Sequence, residues 1–296
     1  MSKNSKSRNK VYNSQIYHGD VLQVLKTIAD SSIDLIFADP PYNIGKDFDG
    51  LKENWDENDF LNWAYEWIDE CHRVLKSEGT FYLMNSTENM PFLDIWCRKK
   101  YIVKSRIIWA YDSSGVQAKQ YYGSMYEPIL MLTKHSKIYT FNYEEIMVEA
   151  KTGAKRQLID YRKNPPQPYN TKKVPGNVWE FPRVRFKMEE YEDHPTQKPE
   201  ALLERIIKAS SNIGDVILDP FSGSFSTSAV SKKLNRKSIG IELNETYVKM
   251  GIRRLGLPSH YTIEELAKEK RRKTKNRSKK VRTTDDEFAP IQTSLI

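Results

Sequence analysis

Short apolar runs alternate along the chain with stretches whose apolar residues fall three and four apart, the pattern of strands alternating with helices in an α/β sheet fold. Strands are predicted at residues 33–38, 80–84, 106–111, 129–132, 215–218 and 238–241. Several are apolar throughout, which suits a sheet covered on both faces. Phe60, Leu61, Ala64, Trp67, Ile68, Cys71, Val74 and Leu75 form one long helical stripe, with Gly79 expected as its stop. On it, Cys71 and the tryptophans read as core. A second stripe, Leu202, Leu203, Ile206 and Ile207, opens at Pro199; a third, Tyr247, Met250 and Leu255, ends at Gly256 and Pro258.

The stretch 112–193 breaks this rhythm. Pro165, Pro166 and Pro168 forbid helix in YRKNPPQPYN, residues 161–170, and the region reads as an insertion with long loops. Lys151, Lys155, Arg156, Arg162, Lys163, Lys172, Lys173, Arg183, Arg185 and Lys187 are interleaved there with Tyr161, Tyr169, Trp179 and Phe186. Cations among aromatics on loops suit a surface that reads nucleic acid; an ordinary solvated loop is the plainer alternative.

Composition narrows the class. The 296 residues are 39% hydrophobic and 29% charged, as expected of a globular protein large enough for a substantial core. No run approaches the roughly 18 apolar residues of a membrane helix, and nothing near the first residue resembles a secretory signal, so a cytoplasmic location is expected. Cys71 and Cys97 form no CxxC pair, which disfavours a disulfide framework, a cysteine zinc site and thiol chemistry, and no metal is expected.

The net charge of +8 is unevenly spread: Lys268 to Arg282 carries +9, the first ten residues four cations, and Asp285, Asp286 and Glu287 −3, leaving 11–267 at −2. A near-neutral body with a basic arm suits a protein whose body does specific work while the arm holds a polyanion; a solubilising tail is the alternative.

The sharpest chemical signal is IDLIFADPPY, an apolar strand running into Asp39-Pro40-Pro41-Tyr42. Two prolines stiffen the corner and withhold two backbone donors, so it presents acceptors. The Asp39 carboxylate and the Pro40 carbonyl suit the two N–H bonds of one amino group, and Tyr42 offers a flat face to a ring. A proline-rich turn capped by Asp39 is the bland reading.

A second signal is DVILDPFSGSFSTSAV, residues 215–230, in which a strand ends at Asp219 and a small-residue turn leads into a helix. Ser222, Gly223 and Ser224 let backbone approach a ligand at a helix N-terminus, where free N–H groups favour a carboxylate. Glu242, closing the strand KSIGIE, is placed to accept both hydroxyls of a ribose. Neither GxGxxG nor GxxxxGK[ST] is present. A nucleoside carrying an amino acid fits both halves of such a pocket.

DPPY, DPFSGS at 219–224, IGIE at 239–242 and HPTQKP at 194–199 together resemble the amino-methylating DNA methyltransferases that use S-adenosylmethionine. The catalytic motif precedes the cofactor loop with a variable segment between, which is similar to the β class of adenine methyltransferases. MNSTENMPF (84–92), YDSSGVQAK (111–119), DYRKNPPQPYN (160–170) and VPGNVW (174–179) are similar to a solitary member of that class. The likeness spans about residues 15–270.

The resemblance implies a Rossmann-like S-adenosylmethionine-dependent methyltransferase sheet with permuted motif order. Residues 11–111 would be its catalytic half, 112–193 a target-recognition insertion, 194–260 the cofactor-binding half and 261–296 a basic, flexible tail. Asp39, Pro40 and Tyr42 would be catalytic. Asp219, Phe221, Gly223 and Ser224 would wall the methionine part of the cofactor, Glu242 would hold the ribose and Asp20 the adenine amino group. Thr196 and Lys198 would lie near the methionine carboxylate.

The expected partner is double-stranded DNA, its adenine flipped out and methylated at N6 by direct displacement. A homodimer is common in the class, and no cognate nuclease is expected. Cytosine-N4 methylation, where Ser more often stands first in the motif, and RNA or protein amide methylation, where Asn does, are the alternatives of like chemistry. A silent DNA-binding subunit is the alternative of a different class. Phe225, standing where the family commonly has a second loop glycine, favours that last reading and puts close backbone approach there in doubt.

Overall fold

The computed structural model describes residues 14–257 apart from 46, 49–50, 53, 113–118 and 151–157, together with 264–266. The basic arm from Lys268 to Arg282, the first ten residues, Lys151, Lys155, Arg156 and Pro258 fall outside the described residues.

The central sheet contains β1 (Ser14–Gly19), β2 (Ile33–Ala38), β3 (Leu75–Met84), β4 (Ile102–Ala110), β5 (Tyr126–Thr133), β6 (Val178–Glu180), β7 (Val216–Asp219), β8 (Lys237–Glu242) and β9 (Glu264–Leu266). Its order is β6, β4, β5, β3, β2, β7, β8, β1, β9. Every neighbouring pair is parallel except the two made by β5, which runs against β3 and β4.

The strands carry apolar residues on both faces because helices cover both. On one lie α1 (Val21–Leu25), α2 (Glu57–Val74) and α3 (Met90–Cys97), whose Leu25, Trp67, Ile68 and Leu93 share a core with Ile36, Phe81 and Leu130. On the other, Leu203, Ile206 and Ile207 of α4 (Glu200–Ser210) pack with Leu35, Phe37, Tyr82 and Ile217. A register shift between Ile33 and Leu35 puts Ile33 on the α2 face with Ile36, out of step with simple alternation.

α2 starts where the Asp56 carboxylate accepts the Asn58 N–H at 2.9 Å. It ends at Val74, earlier than the expected stop at Gly79, because Leu75 turns extended and pairs with Ile33. Gly79 lies inside β3, where a Cβ would come within 2.9 Å of the Asp34 carbonyl oxygen. Glycine serves close packing there.

The sheet also includes β1, β6 and β9, which the apolar pattern did not single out. β5 and β6 fall within 112–193, so that stretch contributes two strands to the sheet as well as loops. Trp179, expected among surface aromatics, is buried on β6, its indole N–H held by the Gly176 carbonyl at 2.8 Å. Tyr161 and Phe186 are exposed. YRKNPPQPYN is not helical; Gln167–Pro168 pairs with Ile159–Asp160. Glu264–Leu266 pairs in parallel with β1, so strand structure reaches into the expected tail.

Phe225 caps α5 (Ser226–Lys233) in the left-handed conformation, φ 58° and ψ 30°. Glycine is the default there, and a bulky side chain is strained. Its ring is fully buried in a cluster with Ile16, Ala229, Val248 and Leu255, so it does not fill the cleft beside the loop. Two glycines form its socket. A Cβ on Gly240 would lie 2.8 Å from the ring, and one on Gly251, in α6 (Glu245–Arg254), 2.4 Å from it.

Alanine ordinarily improves a helix interior by up to about 1 kcal/mol over glycine. Gly251→Ala should instead destabilise the protein by about 1–3 kcal/mol through overpacking. Much of that loss should disappear when Phe225→Leu is added, as denaturant unfolding of the single and double variants will measure.

Candidate active site

Parallel register sets the geometry. β2, β7, β8 and β1 are consecutive neighbours pointing the same way, so Asp39, Asp219, Glu242 and Asp20 all fall at one edge of the sheet. A crevice at the carboxyl ends of such strands is where open α/β sheets bind ligands. β5 runs the other way, so its first residues reach the same edge. Trp109 pairs with Glu127, and Glu127 thereby joins the cluster.

The first group surrounds Asp39. Lys198 Nζ lies 2.5 Å from Asp39 Oδ2 and 3.6 Å from Glu127 Oε2. The Tyr42 hydroxyl is 2.6 Å from Asp39 Oδ1 and 2.9 Å from Glu127 Oε2, while Tyr111 donates to Glu127 Oε1 at 3.3 Å. Burial pushes the Asp39 carboxyl above its ordinary pKa; Lys198 opposes that rise and the Glu127 charge adds to it. Burial works to lower the Lys198 pKa, but Asp39 and Glu127 together raise it, so it stays an ammonium. Pro40 is buried beside Asp39. The Asn89 amide braces the corner by donating to the Tyr42 carbonyl at 2.7 Å and to Asn85 at 3.1 Å.

The second group is the loop after β7. Asp219 Oδ1 accepts the Phe221 N–H at 3.1 Å, and Glu242 accepts the N–H groups of Gly223 at 2.8 Å and Asn244 at 2.7 Å. Phe221 packs edge-on against Trp63 and Trp67 of α2. Gly223 has φ +47°, and a Cβ there would lie 2.7 Å from His194 Nε2. Arg254 fastens the loop, donating to the Ser224 carbonyl at 2.9 Å and to Glu200, at the start of α4, at 2.7 Å. Burial raises Asp219 to about 7, with Asp39 and Glu242 adding to the rise; burial raises Glu242 too.

The predicted residues thus fall into a corner, Asp39, Pro40, Tyr42 and Lys198, and a loop, Asp219 to Ser224 with Glu242. Lys198, expected near a cofactor carboxylate, has its ammonium on Asp39. Its reach is set by α4, which begins two residues later and is tied down through Glu200. Thr196 is partly exposed next to His194, whose Nδ1 accepts its N–H at 3.3 Å. Asp20 caps α1, accepting the Gln23 N–H at 3.2 Å. The sequence reading passed over Glu127, Tyr111, His194 and Arg254. His194 had a signal as the first residue of HPTQKP and Tyr111 as the first of YDSSGVQAK, whereas Glu127 and Arg254 had none.

An open α/β sheet whose carboxyl edge joins an acid-proline-proline-tyrosine corner to a small-residue loop defines a class of group-transfer enzymes acting on amines. The chain belongs to the DNA methylase family, whose model matches residues 33–253. It is 67% identical over 270 residues to the DNA adenine methyltransferase YhdJ of Escherichia coli (strain K12), covering 91% of this chain and 92% of that protein.

Two solved structures share the fold. The M1.HpyAVI-SAM complex has TM-score 0.57 and 24% identity, covering 82% of this chain and 100% of that one. PvuII DNA methyltransferase (cytosine-N4-specific) has TM-score 0.64 and 16% identity, covering 85% and 89%.

Asp219 gives a test of this electrostatic picture. The folded chain keeps the Asp219 proton up to about pH 7, whereas the unfolded chain releases it near about pH 4. Its burial therefore removes stability progressively as pH rises through that window. Asp219→Asn should raise the melting temperature relative to the parent more at pH 8 than at pH 5. An equal difference at both pH values would show that Asp219 ionises normally.

Proposed function

We propose that this protein methylates the exocyclic N6 amine of adenine in double-stranded DNA, with S-adenosylmethionine as donor, on a base flipped out of the duplex. The observation that carries the reading is the largely buried Asp39 carboxylate in a rigid corner at the same sheet edge as the Asp219 and Glu242 loop. Family membership and the 67% identity to an adenine methyltransferase support the substrate class.

The residues present fit the donor. Glu242 has acceptor capacity beyond the backbone N–H groups it holds, for ribose hydroxyls. Gly223, without a Cβ, leaves its loop backbone uncovered by a side chain of its own where one would collide with His194. Asp219, Phe221, Gly223 and Ser224 would flank the methionine part, Asp20 would take the adenine amino group and Thr196 would lie near the carboxylate. S-adenosylmethionine supplies an electrophilic methyl carbon on a positively charged sulfur.

The target amine is a poor nucleophile because its lone pair is delocalised into the ring. Asp39 and the Pro40 carbonyl, accepting its two hydrogens, favour a pyramidal nitrogen with the lone pair turned out of the plane. The new N–C bond forms as the methyl–sulfur bond breaks, and its electron pair stays on sulfur. A preorganised Asp39 stabilises the positive charge appearing on nitrogen and takes the proton the product sheds. Its raised proton affinity suits that last step. Flipping the base costs a few kcal/mol, of which stacking on Tyr42 would return roughly 1–3 kcal/mol.

The exposed Tyr161 and Phe186, with Lys163, Arg185 and Lys187, support a DNA-reading role for the loops of 112–193. Phe225, with its ring in the core, gives no support to a silent DNA-binding subunit. No helix among the described residues is long and apolar enough to cross a membrane. The reading extends to a cytoplasmic enzyme working on chromosomal DNA without a dedicated nuclease, as a homodimer.

Asp39→Ala should abolish transfer of labelled methyl groups to duplex DNA while DNA binding stays nearly intact. Mass analysis of the parent's product should give N6-methyladenine. N4-methylcytosine would overturn the base assignment, and equal loss of binding and transfer would remove Asp39 from its role.

A further inference from the structure

Asp39 does not stand alone at the corner. Oδ2 holds the Lys198 ammonium at 2.5 Å and Oδ1 the Tyr42 hydroxyl at 2.6 Å. An ionised carboxylate paired this closely is a weaker acceptor toward a third donor, because much of its charge is already spoken for. Both donors have a second acid within reach. Glu127 Oε2 is 2.9 Å from the Tyr42 hydroxyl and 3.6 Å from Lys198 Nζ. A hydroxyl carries one proton and donates it to one carboxylate at a time. The Lys198 ammonium needs to move only about an ångström to exchange its closest contact from one acid to the other.

We propose that Glu127 is a positioning residue for methyl transfer, drawing the Lys198 ammonium and the Tyr42 hydroxyl off Asp39 when the target amine arrives and so freeing Asp39 to accept one of the amine's two hydrogens while the Pro40 carbonyl accepts the other. This rests on the reading of Asp39 as the acceptor. The partners exchange without any covalent step. Glu127 is suited to the task because β5 fixes its backbone between β3 and β4 and Tyr111 holds its other oxygen. Lys198 is held at the start of α4 with its carbon chain buried, and its ammonium also lies 5.7 Å from the centre of the Tyr42 ring.

The charged and titratable groups around Asp39 come from every element that meets there. They are Tyr42 on its own loop, Glu127 on β5, Tyr111 after β4, Lys198 before α4, Asp219 at the end of β7 and Arg183 after β6, the last 5.1 Å from the Tyr111 ring. Glu127 disfavours ionisation of Asp39, and Lys198 favours it. Removing the Glu127 charge leaves Lys198 wholly on Asp39, which lowers the pH at which Asp39 takes up its proton.

The test uses the full chain with labelled S-adenosylmethionine and duplex DNA, comparing Glu127→Gln, Glu127→Asp and Asp39→Asn with the parent. Glu127→Gln should lower kcat roughly a hundredfold, the size of effect expected when reacting groups are misplaced by about an ångström. KM for donor and DNA should stay nearly unchanged, and the acid limb of kcat/KM should move to lower pH. Glu127→Asp keeps the charge and shortens the reach, so kcat should fall while the acid limb stays in place.

A parental kcat in either variant, or a reduced kcat in Glu127→Gln with an unmoved acid limb, overturns the proposal. Should Glu127→Gln not fold, as donor binding by calorimetry will show, Glu127→Asp alone decides. Substantial activity in Asp39→Asn would instead overturn the underlying assignment of Asp39.

Discussion

Three carboxylates largely withdrawn from water at one edge of the sheet set the terms on which this fold is built. Asp39, Asp219 and Glu242 each end a parallel strand, and burial raises the pKa of each. A buried charge persists only where it is paired or hydrogen-bonded. Glu242 is compensated by backbone N–H groups and Asp219 by the Thr227 hydroxyl with the Phe221 N–H, and supplying those donors shapes the loop from Asp219 to Ser224. Asp39 is compensated by a side-chain cation and a hydroxyl instead, both within reach of Glu127. One site therefore has fixed compensation, suited to holding a ligand, and the other an exchangeable one, suited to chemistry.

What the sequence made legible follows from the same geometry. Asp39, Asp219 and Glu242 stood out because each ends an apolar run, and parallel strands bring such ends together whatever their distance along the chain. Glu127 has the opposite relation to its strand: it lies at the start of β5, and only the antiparallel direction of β5 carries it to the shared edge. A local pattern shows where a strand lies but not which way it runs. Gly79 was ambiguous for a related reason. Glycine past an apolar stripe suits both a helix stop and a close strand contact, and the Asp34 carbonyl, far away in sequence, decides between them. The pairing of Lys198 with Asp39 was not legible, because a long side chain reaches past the motif that carries it.

Phe225 shows a departure from family pattern absorbed on the side away from the site. The left-handed conformation at the start of α5 belongs to the loop's path, which must turn sharply to present the Gly223 and Ser224 backbone. A phenylalanine held there stores strain, offset by complete burial of its ring against Ile16, Val248 and Leu255. The room for that ring comes from Gly240 on β8 and Gly251 on α6. Arg254, three residues beyond Gly251, reaches back to the Ser224 carbonyl and across to Glu200. The turn, the helix that packs on it and the start of α4 are thereby one mechanical unit, and the unit that positions the loop also positions Lys198.

The corner's net charge has a sign that suits the species it would handle. Asp39, Glu127 and Lys198 together carry −1, in a place where burial makes any net charge expensive. An excess negative charge is tolerable if the species handled there are positive, and in methyl transfer from a sulfonium to an amine both the donor and the newly methylated nitrogen are cations. A second lysine in place of Glu127 would satisfy Asp39 more fully and repel both of them. The surplus acid is thus matched to the path of the reaction, and the surrounding hydroxyls of Tyr42 and Tyr111 hold its charge near the corner without cancelling it.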